Sequence, residues 1–305
     1  MRRVRYDSTG GPLFLEEVPP PEAGPGELLV RCEAVGVTLP VVRKVTEAPE
    51  PIPLGGEIAG EVVAVGDGVR RFRVGERVTG LCFGHGYADF ALLREAMASP
   101  VPDAASAVDA VALVRSGLVA LGALEAARPV PGESALVTAT ASGVGHLALQ
   151  LARIRGASRV VGAVSGSGKA EFVRSLGADE VVTYDTPEWG EPVDYALDAV
   201  GGELLTPAVA ALAPGGRLVA YSSGGGTVRA YDLLVGAKSV IGFQMARIAR
   251  TEPELYERWR QELWRLFAQG ALKPVVHAEF SLEDAVQAHE AIESRRNLGK
   301  VVVRP

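Results

Sequence analysis

Cysteine is scarce: the 305-residue chain carries only Cys32 and Cys82. Both stand in strand-like contexts with no metal-type pairing. That argues against a disulfide framework and a four-thiolate zinc site, and it points to a reducing compartment. Basic residues are also in deficit, with 31 Lys and Arg against 37 Asp and Glu, a formal net charge of -6 and a pI near 5.4. A field of that sign repels phosphate backbones and anionic lipid, so neither nucleic acid nor membrane is an expected partner. The start, MRRVRYDSTGG, has no apolar signal core, no run approaches membrane-spanning length, and no internal repeat stands out. Together these absences read as a soluble cytoplasmic protein.

What is present is a globular composition, 48% hydrophobic and 22% charged with 36 glycines and 20 prolines. At this length two domains are expected. Up to about residue 100, short β-branched runs such as ELLVRCEAVGV, GGEIAGEVVAVGDGV and GYADFALL alternate with Gly, Pro and Asp, a spacing that predicts a compact β-barrel. From about residue 117 the texture changes. SALVTAT, RVVGAVS, EVVTYD, VDYALDAVG, RLVAYSS and SVIGFQM alternate with helical segments, which predicts a doubly wound parallel six-stranded sheet. RGAS and LGAD place glycine just past two of those helices, where a left-handed cap suits it. EPELYERWRQELWRLFAQG reads as a further helix with Leu255, Trp259, Leu263, Leu266 and Phe267 near helical spacing, and the chain ends in the strand-like GKVVVRP, which suggests a return to the first domain. The division read from this pattern is residues 1–114 and 250–305 for the barrel domain and 115–249 for the sheet domain.

The stretch TATASGVGHLALQLARIRGA follows the first strand of the sheet. It has the rhythm of a glycine-rich turn feeding a helix, although Thr140 and Ser142 stand where a dinucleotide fingerprint carries glycine. A purely structural corner would share that rhythm; the position at the first βα unit of a six-strand alternation favours a pyrophosphate on the helix N-terminus. Gly143 would let the backbone approach the ligand, and Gly145 would let helix and strand pack closely. An NAD site wants an acid about 20 residues beyond the turn. Between Arg159 and Ala170 there is none; Ser165, Ser167 and Lys169 offer donors and a positive charge instead, which fits the 2′-phosphate of NADPH.

Nearly the full length resembles the zinc-independent quinone oxidoreductase branch of the medium-chain dehydrogenase/reductase superfamily, the group that includes zeta-crystallin. The resemblance runs, in the family's order, through GGPLFLEEVPPPEAGPGELLVRCEAVGV, PLGGEIAGEVVAVGDGV, VGERV, GYADF, TASGVGHLALQLARIRGA and AHEAIESRRNLGKVVV. It implies a GroES-like β-barrel domain joined to a Rossmann domain that carries NADPH. By position, it implies that Ser142, Gly143 and Val144 form the pyrophosphate turn, that Lys169, Tyr184 and Arg295 surround the 2′-phosphate, and that Val200 and the Phe243 backbone lie beside the nicotinamide. It also implies a homodimer joined through Rossmann edge strands, with SVIGFQM as the candidate edge. Two departures stand out. Zinc-dependent relatives have Gly-His-Glu where this chain reads Gly55-Gly56-Glu57, and the four-cysteine loop is missing, so metal catalysis is not expected. The Asn and Asp that the family usually carries on the substrate side are replaced by Thr38 and Val41 in GVTLPVVRK, a retuned pocket.

The expected chemistry is hydride transfer from NADPH to a quinone or an activated alkene such as an enone, whose own carbonyl accepts the developing charge. One hydrogen-bond donor near that oxygen would help; Tyr87 and Thr38 are the candidates, ahead of His85 and Arg43. Two alternatives stay open: an enoyl-thioester reductase of a biosynthetic pathway, and an NADPH-binding protein without useful turnover.

Overall fold

The computed structural model describes residues 1–222 and 224–305, so Ser223, the last residue of the RLVAYSS run, lies outside the described residues. The chain forms two compact units, Met1–Arg115 with Pro274–Pro305, and Ser116–Lys273.

The first unit begins with β1 (Arg2–Arg5) paired antiparallel to β2 (Phe14–Glu17). There follow β3 (Glu27–Val37), α1 (Leu39–Glu47), β4 (Gly56–Val65), β5 (Arg77–Cys82), β6 (Phe90–Arg94) and β7 (Ala98–Pro100). Along β3 the side chains of Leu28, Val30, Cys32 and Ala34 turn inward at alternate positions, the period-2 signature read from the sequence. Leu28, Val30 and Cys32 join Ile58, Val62, Val78 and Leu93 in one core. Pro40 opens α1 at a position where a missing N–H costs nothing.

Helix α2 (Ala107–Ala127) has 21 residues and is apolar enough by length and composition to cross a membrane, which corrects the sequence expectation that no run reaches that length. It is a core helix: 83% of its most apolar window is buried, with Leu113, Leu118, Leu121 and Leu124 fully enclosed. Asp109, Arg115 and Glu125 are spaced along it and break up the apolar run in the sequence.

The second unit continues with β8 (Ser134–Val137), α3 (Gly145–Ile154), β9 (Arg159–Val164), α4 (Ala170–Ser175), β10 (Glu180–Thr183), β11 (Val193–Asp198), α5 (Leu205–Ala210), β12 (Leu212–Ala220), α6 (Ala230–Val235), β13 (Ser239–Gly242), α7 (Met245–Thr251) and α8 (Pro253–Ala268). Among the described residues the sheet has six strands in the order β10-β9-β8-β11-β12-β13, every pairing parallel. Gly156 and Gly177 stand just past α3 and α4 with φ of 87° and 102°, the left-handed caps expected of RGAS and LGAD. Strand order runs outward from β8 through β9 to β10 on one side and from β11 to β13 on the other. A crevice therefore opens between β8 and β11 at the carboxyl edge, where open α/β sheets bind ligands.

Helix α8 belongs to this second unit, whereas the sequence division at residue 250 gave it to the barrel. Two glycines of α2 explain the difference. A Cβ at Gly117 would stand 2.8 Å from Leu263, and one at Gly122 would stand 2.8 Å from Trp259, so α8 is seated directly on α2. After Lys273 the chain returns to the barrel as β14 (Val276–Ser281), α9 (Ala285–Glu293) and β15 (Lys300–Arg304). β15 lies between β14 and β3, antiparallel to β3.

Candidate dinucleotide site

Because all six strands run the same way, their C-terminal ends share one edge of the sheet. Ser142, Gly143 and Val144 lie past β8, Ser165 and Lys169 past β9, Tyr184 past β10, Val200 past β11 and Phe243 past β13. The topology thus brings eight of the sequence candidates to one edge.

The turn after β8 is built to present backbone donors. Ser142 Oγ accepts the Gly145 N–H at 3.0 Å, and the Ser142 carbonyl accepts the His146 N–H at 3.2 Å. Among the described residues no hydrogen bond claims the N–H of Gly143 or Val144. Two free donors at the start of a ten-residue helix, at the positive end of its dipole, suit an anion. Gly145 is what lets the helix start so close to the strand: a Cβ there would stand 2.1 Å from the Ala139 carbonyl oxygen. Thr140, which occupies a fingerprint glycine position, is buried and structural. Its hydroxyl donates to the Val137 carbonyl at 2.6 Å, and its N–H reaches the Ala163 carbonyl of β9 at 3.3 Å.

Tyr184 reaches back over β9. Its hydroxyl accepts the N–H of Ala139 at 2.8 Å, while its ring lies 6.0 Å from that of Trp189. Ala139 is held left-handed, φ 48°, a conformation that costs a non-glycine residue roughly 1 kcal/mol or more. The phenol therefore braces the start of the turn. Ser165 is exposed, and Lys169 ends a 3-10 turn at Ser167–Lys169, half-buried. Phe243 packs its ring on Gly122 and 6.3 Å from Trp259, leaving its backbone, whose N–H meets the Ala220 carbonyl, along the edge.

Sequence reasoning missed the polar core beneath this edge. Asp198 is fully buried at the end of β11; it accepts the Thr138 hydroxyl and the Gly201 N–H, both at 2.8 Å, and the Val200 N–H at 3.3 Å. The Thr138 hydroxyl in turn accepts the Ala199 N–H at 2.9 Å. These bonds fix the backbone of Ala199–Gly201 relative to β8. An acid at the end of a strand, between the apolar pairs of ALDAV, was the available signal.

In the first unit, Thr38 caps the start of α1 through its carbonyl and makes no side-chain cap bond, and among the described residues no hydrogen bond claims its hydroxyl. Tyr87, the other candidate donor, lies in the same unit. The residue is fully buried in the barrel core, its hydroxyl 3.2 Å from His289 Nε2 and its ring edge-on to that imidazole. Burial pushes its pKa well above the ordinary tyrosine value. Arg295 is exposed in the first unit, left-handed (φ 53°) just past α9. Glu57, next to the Gly56 that replaces a zinc-ligand histidine, pairs with buried Lys300 and, at 3.1 Å, with Arg115. Burial lowers the Lys300 pKa, and Glu57 partly restores it.

Two families match along the chain: the alcohol dehydrogenase GroES-like domain over residues 24–103 and the zinc-binding dehydrogenase over residues 176–303. The quinone oxidoreductase of Pseudomonas aeruginosa is 31% identical over 100% of this chain and 99% of its own. The chain belongs to the quinone oxidoreductase branch of the medium-chain dehydrogenase/reductase superfamily. Within that superfamily, the quinone oxidoreductase of Thermus thermophilus, solved alone and in complex with NADPH, has 32% identity and a TM-score of 0.86, covering both chains completely. The spectinabilin polyketide synthase system protein NorB of Streptomyces orinoci is 32% identical over 93% of this chain and 14% of that much longer protein. Among the described residues no three His, Cys, Asp or Glu side chains gather as a metal site.

Proposed function

We propose that the protein is a zinc-free, NADPH-dependent reductase that transfers hydride to a quinone or an activated alkene such as an enone. Membership of the family makes it an NADPH-dependent oxidoreductase; the acceptor class is the proposal. The observation that carries it is the carboxyl edge of the sheet. Among the described residues no hydrogen bond claims the Gly143 and Val144 N–H groups, which suits a pyrophosphate, and β9 is followed by no acid but by Ser165 and Lys169.

NADPH, when bound, supplies the hydride. Ser142, Gly143 and Val144 would hold its pyrophosphate, Lys169 would neutralise the 2′-phosphate and Ser165 would donate a hydrogen bond to it. Tyr184 keeps the turn in shape through Ala139, and the Asp198–Thr138 bonds keep Val200 in place. A conjugated acceptor disperses negative charge into its own carbonyl, so this chemistry needs no metal.

The test is NADPH oxidation by the purified protein with a panel of 1,2-quinones, enones and crotonyl-type thioesters. Turnover with quinones or enones is expected. The second reading, an enoyl-thioester reductase, is favoured by the similarity to a polyketide synthase protein, and turnover of the thioester alone would select it. Failure of NADPH to bind in calorimetry would refute both.

We further propose a homodimer joined along β13. Among the described residues that strand pairs with β12 alone, and exposed apolar residues accompany it: Val240 on the strand, and Tyr231, Leu234 and Val235 on α6, the last three each at least 69% exposed. Light scattering at micromolar concentration should give twice the 31.9 kDa chain mass, and a monomer mass overturns the proposal.

A further inference from the structure

Tyr221 directly follows β12, at the same edge of the sheet, and nothing above uses it. Its N–H donates to the Asp198 carbonyl at 3.1 Å, which ties it to the end of β11. Its hydroxyl oxygen is shut off from solvent and has no hydrogen-bond partner among the described residues. Such a group is costly, because a buried hydroxyl that forms no bond keeps its full desolvation penalty. The ionisable groups closest in influence are Asp198 and then Tyr184, with burial the dominant effect, and together they hold the phenol in its neutral, donating form. Asp198 closes β11, and the Tyr184 hydroxyl sits on the turn after β8. Tyr221 thus stands at the carboxyl end of β12, tied to the end of β11 that flanks the β8–β11 crevice. Tyr195, a second buried phenol without a partner among the described residues, lies within β11, three residues before Asp198, with the Arg217 guanidinium 5.6 Å from its ring.

We propose that Tyr221 is a cofactor-binding residue that donates a hydrogen bond to an oxygen on the nicotinamide side of NADPH, either the nicotinamide ribose or the phosphate attached to it. The assignment of side follows from strand order. The pyrophosphate belongs at the turn after β8, and the adenosine end lies toward β9, where Lys169 stands. The strands on the other side of the crevice, β11 and β12, then flank the nicotinamide end. The inference rests on the NADPH reading above and adds a specific partner to it.

Calorimetric titration of wild type and Tyr221→Phe with NADPH and with 2′,5′-ADP, which lacks the nicotinamide half, tests it. Wild type must bind NADPH; if it does not, the cofactor reading itself falls, and this proposal with it. Given binding, Y221F should bind NADPH about 3- to 10-fold more weakly, the range for one neutral hydrogen bond, and should bind 2′,5′-ADP as wild type does. The ligand-free variant should melt no lower than wild type, because it loses a hydroxyl that had no partner. Unchanged NADPH affinity, or a lowered ligand-free melting temperature that signals an internal water bridge, overturns the proposal. So does equal weakening toward both ligands. Should Y221F not fold, a crystal structure of wild type with NADPH decides: the phenol oxygen lies within hydrogen-bond distance of a nicotinamide-side oxygen, or the proposal is wrong.

Discussion

Protonating one buried imidazole should loosen the barrel. His289 is 6% exposed and packs against the Tyr87 ring, centroids 5.6 Å apart. Burial holds its pKa down to about 4, against 6.5 for the free side chain. Between those values the unfolded chain binds a proton that the folded chain refuses. Stability is therefore complete above about pH 6.5 and falls as the pH drops through that window toward 4. At about 1.4 kcal/mol per pH unit the whole effect is about 3 kcal/mol, and about 2 kcal/mol of it is lost between about pH 7.5 and 5. Urea denaturation of wild type and His289→Gln at those two pH values measures it. Glutamine cannot gain the proton but can still bond the Tyr87 hydroxyl, and the carboxylates common to both proteins cancel in the comparison. The variant should lose about 2 kcal/mol less than wild type over the interval. Equal losses would refute the assignment of a neutral, solvent-excluded imidazole.

Two substitutions test the cofactor edge. Gly145→Ala puts a methyl group where the Ala139 carbonyl oxygen is 2.1 Å away, so α3 must shift; a loss of about 1–3 kcal/mol in stability is expected, together with weakened NADPH binding, and a variant with unchanged melting and unchanged affinity would contradict the close-packing argument. Lys169→Ala should weaken NADPH binding about 10-fold, the lower end for a charge-assisted bond, and leave NADH binding as it was; parallel loss for both cofactors in calorimetry would remove Lys169 from 2′-phosphate recognition.

Much of the sheet domain was legible because parallel strands buried on both faces are written as apolar runs. RVVGAVS and VDYALDAVG could hardly be anything else, and the glycines of RGAS and LGAD marked where helices stop. Helix α2 was not legible, since a helix buried on every side shows no periodic face. The boundary at residue 250 missed α8 because the glycines that seat it, Gly117 and Gly122, lie more than 100 residues earlier in the chain. At the site, the turn and the missing acid after β9 were readable as local patterns. Tyr87 and Tyr221 were not: whether a tyrosine hydroxyl meets His289 or meets nothing depends on residues distant in sequence.

The position of β15 has a consequence for synthesis. This strand is held between β14 and β3, with β3 almost at the other end of the chain. On the ribosome, Ser116–Lys273 emerges as one continuous stretch and can complete its sheet while translation continues. The barrel must keep the Val35–Val37 end of β3 unpaired until β15 has left the exit tunnel. A chain that lacks β15 would therefore carry a finished nucleotide-binding half attached to an unclosed, aggregation-prone one.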